Sequence, residues 1–326
     1  MNIIHNCDLG MIYMNNFKPL VSVIMNCHNG EKYLEESINS VISQTYPNWE
    51  LIFWDNQSTD NSKTIFEKYS RFDKRLKYFC SKEFTSLGTA RNKAIACSSG
   101  DFLAFLDCDD IWFNQKLEYQ IPKFNDKNIG VVICDTLFFN DSNECKQYYK
   151  RNKPPTGRVF KQLIGGYFIS LETVVLRKKA LDSLDHFFDP RFSMLEECDL
   201  LTRICYEWQL DFVDMVLAKW RVHGGSLTWS KREDFIQERK MMLDKFTDLF
   251  PDFTENYSDR IQKVHRRNAL DQSLIYWEKK ENTLARLCLK EYCLDGISWF
   301  LFYLSTFLPF SVYKLLSKIR GSVLPI

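Results

Sequence analysis

The run Asp101-Phe102-Leu103-Ala104-Phe105-Leu106 leads into Asp107-Cys108-Asp109-Asp110, and no other stretch limits the fold as much. A short apolar run with aromatic residues reads as a buried strand. Carboxylates at the exit of a buried parallel strand lie at the sheet edge where open α/β folds bind ligands. Asp107 and Asp109 are two residues apart, so on an extended backbone they point the same way. Two oxygen donors on one side suit a hard divalent cation, Mg²⁺ or Mn²⁺, carrying a phosphate substrate. A second reading needs no ligand: acidic residues are common where helices start, and Asp110 could cap a helix that follows. On these four residues both readings stand.

Upstream, strand and helix alternate. Leu20 to Met25 reads as a strand broken by Asn26-Cys27-His28-Asn29-Gly30. A helix follows from about Glu31 to Gln44, with Leu34, Ile38, Val41 and Ile42 on one face and Asn29 as its expected N-cap. Then come a strand over Glu50–Trp54, a polar run from Asp55 to Ser62, and a helix with Ile65, Tyr69 and Phe72 inward. A short strand over Arg75–Phe79 precedes a helix opened by Leu87-Gly88-Thr89-Ala90-Arg91-Asn92. This order predicts a mostly parallel sheet with helices on both faces. Right-handed crossovers then put the exits Asn26–Gly30, Asp55–Asp60 and Asp107–Asp110 on one rim.

Beyond Asp110 the pattern is mixed. We expect a helix over Phe113–Phe124, a strand over Val131–Cys134, a polar loop from Asp141 to Gly157 and a strand over Glu172–Arg177. A helix opens at Glu196-Glu197-Cys198-Asp199, and Phe212–Val222 leads to His223. From Lys231 the chain turns to charged helical stretches. Three regions result: an N-terminal extension over 1–17, an α/β domain over 18–230 and a helical C-terminal region over 231–326.

The formal net charge of +1 argues against a nucleic-acid partner, whose signature is a basic face. Eleven cysteines without a CxxC pair point to reduced thiols and a cytoplasmic setting. Met1 to Lys18 has no basic stretch followed by a long apolar run, so no signal peptide is expected. Neither a P-loop nor a Rossmann glycine fingerprint is present.

Asp55 could accept hydrogen bonds from a base N–H or from ribose hydroxyls, or Ser58, Thr59 and Asp60 could simply cap a helix. Arg91 could reach a phosphate or remain a solvated helix residue. Glu196 and Glu197 compensate a helix dipole on one reading; on the other, one of them deprotonates a hydroxyl nucleophile. His223 could complete a metal site or touch a diphosphate, or be an ordinary loop histidine.

Taken in order, Pro19–Gly30 with Tyr33 and Leu34, Asp55 with Ser58-Thr59-Asp60, Gly88–Asn92, Phe105–Asp110, Glu196–Arg203 and Trp220–Ser226 resemble the family-two glycosyltransferases of the GT-A fold. The resemblance covers about Lys18 to Ser230. It implies a GT-A-like sheet sandwiched by helices, and inverting transfer of a sugar from a nucleotide-diphosphate donor, most simply UDP-linked, to an acceptor hydroxyl. By the same resemblance, Asp55 contacts the base, Arg91 holds base or phosphates, and Asp107 binds the ribose side and shares the metal. Asp109 ligates Mn²⁺ or Mg²⁺ and His223 lies near it. Asn29 belongs to the donor pocket, and Glu197 is the catalytic base supported by Glu196 and Asp199. The chain departs from the family at Asn56-Gln57, where an aspartate and a glycine are usual, and at Glu196-Glu197, where Glu-Asp is common. Two rival readings are a non-catalytic nucleotide-sugar-binding relative and a sugar-nucleotide pyrophosphorylase.

Gly296 to Tyr313 is eighteen residues without a charge, the lower limit for a membrane span. Pro309 and the many aromatics favour an interfacial helix or a buried hairpin. From Arg260 onward eleven Lys and Arg face five acids, which suits an anionic leaflet. The expected partners are therefore a nucleotide-sugar donor and a carbohydrate or lipid-linked acceptor, with peripheral membrane contact through 296–320 at the inner face of the cell membrane.

Overall fold

The computed structural model describes residues 18–142, 145–223 and 232–313. Strands β1 (Val21–Cys27), β2 (Trp49–Asp55), β3 (Leu76–Cys80) and β4 (Phe102–Phe105) run parallel in the order β3-β2-β1-β4. Every residue of β1, β2 and β4 is buried. Helices cover both faces, which is why these strands read as continuous apolar runs. Helices α1 (Leu34–Ile42), α2 (Ser62–Ser70) and α3 (Leu87–Ala96) make the crossovers. Leu34, Ile38 and Val41 pack with Val21, Val23 and Met25, while Ala90, Ala94 and Ile95 pack with Ile24 and Phe105. Alternate residues of β1 thus serve opposite layers.

The second half of the sheet is mixed. It is built from β5 (Ile111–Trp112), β6 (Ile129–Phe139), β7 (Cys145–Gln147), β8 (Val175–Arg177) and β9 (Gln209–Arg221). The order continues from β4 as β8-β6-β9-β5, with β7 on β6. Only β6 and β9 pair in parallel here. Their register shifts around Ile129/Val131 and Cys134–Thr136, and such bulges bend strands.

Several sequence expectations change in this half. Asp110 caps no helix, because the chain after it enters β5. The helix expected over Phe113–Phe124 is only α4 (Lys116–Gln120) followed by a 3-10 turn at Ile121–Asn125, where Pro122 cannot supply an amide. The polar loop Asp141–Gly157 contains β7. The strand expected from Glu172 opens with a 3-10 turn at Leu171–Thr173. Helices α5 (Phe160–Gly165), α6 (Lys178–Asp182) and α7 (Glu196–Glu207) complete this part.

The C-terminal helices are α8 (Arg232–Leu249), α9 (Phe253–Asn256), α10 (Ser258–Glu278), α11 (Asn282–Leu289) and α12 (Ile297–Ser305). Met242, Leu243 and Phe246 of α8 share a core with Phe160, Ile164, Phe192 and Cys198, so α8 is built onto the α/β part. Among the described residues no helix is long and apolar enough to cross a membrane. The ten described cysteines are free thiols.

Candidate active site

The parallel register brings the ends of β1 and β2 level, Cys27 opposite Asp55, and their exit loops are laced together. Asn29 adopts a left-handed backbone (φ 56°), a conformation that Asn tolerates better than most residues. Its N–H donates to Ser58 Oγ at 3.0 Å, and its Oδ1 accepts from Thr59 N at 2.8 Å. Asn29 is therefore not the N-cap of α1, a position held by Tyr33; its side chain is engaged in joining the two loops. Asp60 bonds locally, accepting from Ser62 N and Glu31 N.

Asp55 is 2% exposed and accepts from Ser58 N and Tyr78 Oη, both at 2.7 Å. Each carboxylate oxygen retains a second acceptor position. The two family departures next to it have local explanations. Asn56 donates to Thr85 O at 2.8 Å and accepts from Thr85 N at 3.2 Å; an aspartate here would set a carboxylate against a carbonyl. Gln57 has φ 64°, the backbone state for which glycine is the low-cost residue, and its amide donates to Ser81 O.

Asp107 to Asp110 forms a turn, closed by Asp110 N donating to Asp107 O at 3.1 Å. The extended alternation expected for Asp107 and Asp109 is absent, and each meets a different partner. Asp107 faces Arg91 Nη2 at 3.2 Å, whereas Asp109 Oδ2 lies 2.9 Å from His223 Nε2. The three candidate ligands do not converge within 4.8 Å of one another. Asp110 is buried, and its Oδ1 accepts from Arg221 N at 2.8 Å. Arg221 in turn donates from Nε to Asp109 O at 2.8 Å and lies over the Tyr33 ring. The end of β9 thereby holds both the acidic turn and His223. Burial, with the negative charge of Asp107, pushes Asp109 above the usual carboxylate range, against the pull of His223. Cys108 fills the space beneath Gly30, where a Cβ would lie 2.7 Å from its sulfur.

Arg91 is 3% exposed and links the two halves of the site. Besides Asp107, it donates from Nη1 to Glu196 Oε1 at 3.0 Å. Burial works against its charge and is outweighed by Asp107, Glu196 and Glu197. Glu196 is thus the partner of Arg91, and its neighbour Glu197 is left without a hydrogen bond or ion pair to any described residue. Burial pushes Glu197 up to about 8, with Arg91 opposing and Glu196, Asp107 and Glu172 adding to the rise. An unpaired carboxylate with a pKa near neutrality is suited to take a proton from a hydroxyl.

The start of α7, which carries Glu197, is held from α8. Glu238 accepts from Ser193 N and Oγ, Met194 N and Leu195 N at 2.8–2.9 Å, which fixes the loop leading into the helix. Asp199 has a structural role: it pairs with Arg203 at 2.7 Å and Lys245 at 2.8 Å. Asp199, Asp189 and His186 form a second acidic group with metal-like spacing. Lys245 Nζ sits 2.9 Å from Asp189, so an ammonium already supplies the positive charge. Arg221, Glu238 and Lys245 gave no signal in the sequence. Each is a charged residue to which the sequence reading gave no role, and their partners lie 43 to 185 positions away.

Residues 22–185 match the family model described as Glycosyl transferase family 2. The chain is 30% identical over 244 residues to the UDP-Glc:alpha-D-GlcNAc-diphosphoundecaprenol beta-1,3-glucosyltransferase WfgD of Escherichia coli, covering 74% of this chain and 89% of that protein. TuaG of Bacillus subtilis (strain 168) is 42% identical over 108 residues, 33% of this chain and 43% of that protein; the match spans less than half of TuaG. Among solved structures, Staphylococcus aureus TarS 1-349 with UDP-GlcNAc aligns at a TM-score of 0.59 and 22% identity, over 78% of this chain and 86% of that one. The mannosyltransferase PcManGT from Pyrobaculum calidifontis, with GDP-Man and Mn²⁺, aligns at 0.62 and 16% identity, over 93% and 81%. These two likenesses speak for the fold. With this match the pyrophosphorylase and non-catalytic readings fall away: the chain belongs to glycosyl transferase family 2 and is a glycosyltransferase of the GT-A fold.

Proposed function

We propose that the protein transfers a sugar from a UDP-linked donor to the hydroxyl of a lipid-linked saccharide, inverting the anomeric centre, at the inner face of the cell membrane. The observation that carries this reading is Glu197: partly buried, raised to about 8 and unpaired, next to a Glu196 that Arg91 neutralises. As the base, Glu197 accepts the acceptor's hydroxyl proton while the new glycosidic bond forms and the diphosphate leaves. WfgD, whose name specifies a UDP-Glc donor and a diphosphoundecaprenol-linked acceptor, and TuaG, named for teichuronic acid biosynthesis, support the substrate class and a role in cell-surface polysaccharide or glycolipid synthesis.

Asp109, Asp107 and His223 are the residues to hold Mn²⁺ or Mg²⁺. Their donor set of two carboxylates and an imidazole fits such an ion. Among the described residues no ammonium or guanidinium faces the Asp109 carboxylate, and burial beside Asp107 leaves its negative charge under-compensated. When bound, the ion offsets charge on the leaving diphosphate. Asp55 and Asn29 frame the base side of the donor pocket, and Arg91 orients Asp107 towards it. The structural unit for this reaction is 18–230, with 231–326 as its helical support. Incubating the full chain with UDP-, GDP- and dTDP-sugars, Mn²⁺ or Mg²⁺ and a polyprenyl-diphosphate-linked sugar tests the reading. Nucleoside diphosphate release and an inverted linkage with the UDP-sugar are expected; turnover undiminished by chelation removes the metal from the proposal.

A further inference from the structure

Helix α12 reads Ile-Ser-Trp-Phe-Leu-Phe-Tyr-Leu-Ser, and none of its residues is buried. One side is nevertheless anchored. Phe302, Phe310 and Tyr313 lie with their ring centroids 5.0–6.0 Å from that of Trp277. Trp277 Nε1 donates to Leu308 O, and Asn282 Nδ2 to Thr306 O, both at 2.8 Å. The other side carries Ile297, Leu301 and Leu304, which are 76, 56 and 42% exposed, and Leu308, 48% exposed, follows in the turn beyond the helix. The spacing of four and three residues puts the first three on one stripe of the helix. An anchored, outward apolar stripe calls for a partner, since soluble chains rarely leave such patches open.

Charge and side-chain type identify the partner. Residues 296–313 carry no charge; Lys314, Lys318 and Arg320 follow them, while before them Arg286 and Lys290 are matched by Glu291 and Asp295. An uncharged, aromatic-rich segment followed by a basic run matches an apolar layer bordered by anionic headgroups. Trp299 and Tyr303 are ring types favoured at that boundary. No described helix is long and apolar enough to cross, so the segment lies on the surface. We propose that α12 docks the enzyme on an anionic phospholipid surface through Ile297, Leu301 and Leu304, with Leu308 in the turn that follows it. The proposal extends the lipid-linked acceptor reading, and a binding assay without turnover lets the two fail separately.

The test is flotation of the full chain with extruded phosphatidylglycerol/phosphatidylethanolamine vesicles and with phosphatidylcholine vesicles. Wild type should float with the anionic vesicles, and L301E/L304E should bind about tenfold or more weakly. The milder L301S/L304S, checked for native circular dichroism, should fall between them. Equal flotation of all three proteins overturns the proposal. So does a lipid-free dimer that L301E/L304E converts to monomer, because the stripe is then a contact between copies of the chain.

Discussion

Two acidic groups in this molecule have similar ingredients and opposite uses. His186, Asp189 and Asp199 sit close enough to hold a cation, and the protein fills that role itself with Lys245 and Arg203. Asp107, Asp109 and His223 are farther apart, and among the described residues no fixed cation is supplied to the Asp109 carboxylate. Carboxylate spacing alone would choose the group whose charge the protein already balances. What separates them is whether the fold has already balanced the charge. The balanced group joins α7 to α8 and is structural; the under-balanced one faces the strand-exit rim and fits a site that a ligand completes.

The largest expected effect is on the balanced side. Lys245→Met leaves Asp189 and Asp199 buried without their shared ammonium, and should lower unfolding free energy by about 3–5 kcal/mol in urea titration. Restoration of that loss by added Mn²⁺ would break the comparison, since both groups would then be metal sites. On the other side, Asp109→Asn should leave the unfolding midpoint unchanged or higher while reducing kcat/KM by roughly 10²–10³. Glu238→Gln ranks third. It turns an amide towards the N–H groups of Met194 and Leu195, costing about 2 kcal/mol, and it should lower kcat with little change in donor KM. Smallest is Gln57→Gly, which relieves a left-handed backbone but loses the bond to Ser81. Its net effect should stay within about 1 kcal/mol.

The pH dependence separates the two regions as well. Burial opposes ionisation of Asp189, but Arg191 and Lys245 outweigh it and hold the carboxyl well below the usual range. The folded chain therefore binds this proton less readily than the unfolded one. Its stabilisation is complete above about pH 4 and is lost as the pH falls below that. Glu197 has the opposite sign. With its pKa pushed to about 8, the folded chain keeps a proton that the unfolded chain releases near pH 4.3, so stability declines as pH rises through that window. Glu197→Gln should remove this decline and leave the chain more stable than wild type at pH 8. Such a gain at an active-site carboxylate is the usual sign of stability given up for function.

The parallel half of the fold was legible because burial on both faces writes itself as apolar runs, as in Leu51-Ile52-Phe53-Trp54. The exits at Asp55, Asp107 and Glu196 were legible because polar residues break those runs abruptly. The mixed half was harder. Short strands such as Ile111–Trp112 leave too few residues to set a period. The supporting charges were invisible for a different reason: Arg221, Glu238 and Lys245 look like solvated side chains until the fold brings Asp109, the start of α7 and Asp199 to them. The family resemblance already put Glu197 ahead of Glu196 as the proposed base, and the three-dimensional pairing supports that choice. Glu196 is spoken for by Arg91, and Glu197 is not.

That distinction is open to direct measurement. Steady-state kinetics of Glu197→Gln with a UDP-sugar and a lipid-linked acceptor, alongside calorimetric titration of the donor, compares chemistry with binding. The expected result is a fall in kcat of about 10²–10⁴ with donor affinity within about twofold of wild type. In wild type, the rising limb of the kcat/KM–pH profile should have its midpoint near the pKa of about 8. Wild-type turnover in Glu197→Gln would contradict the assignment of Glu197 as the base.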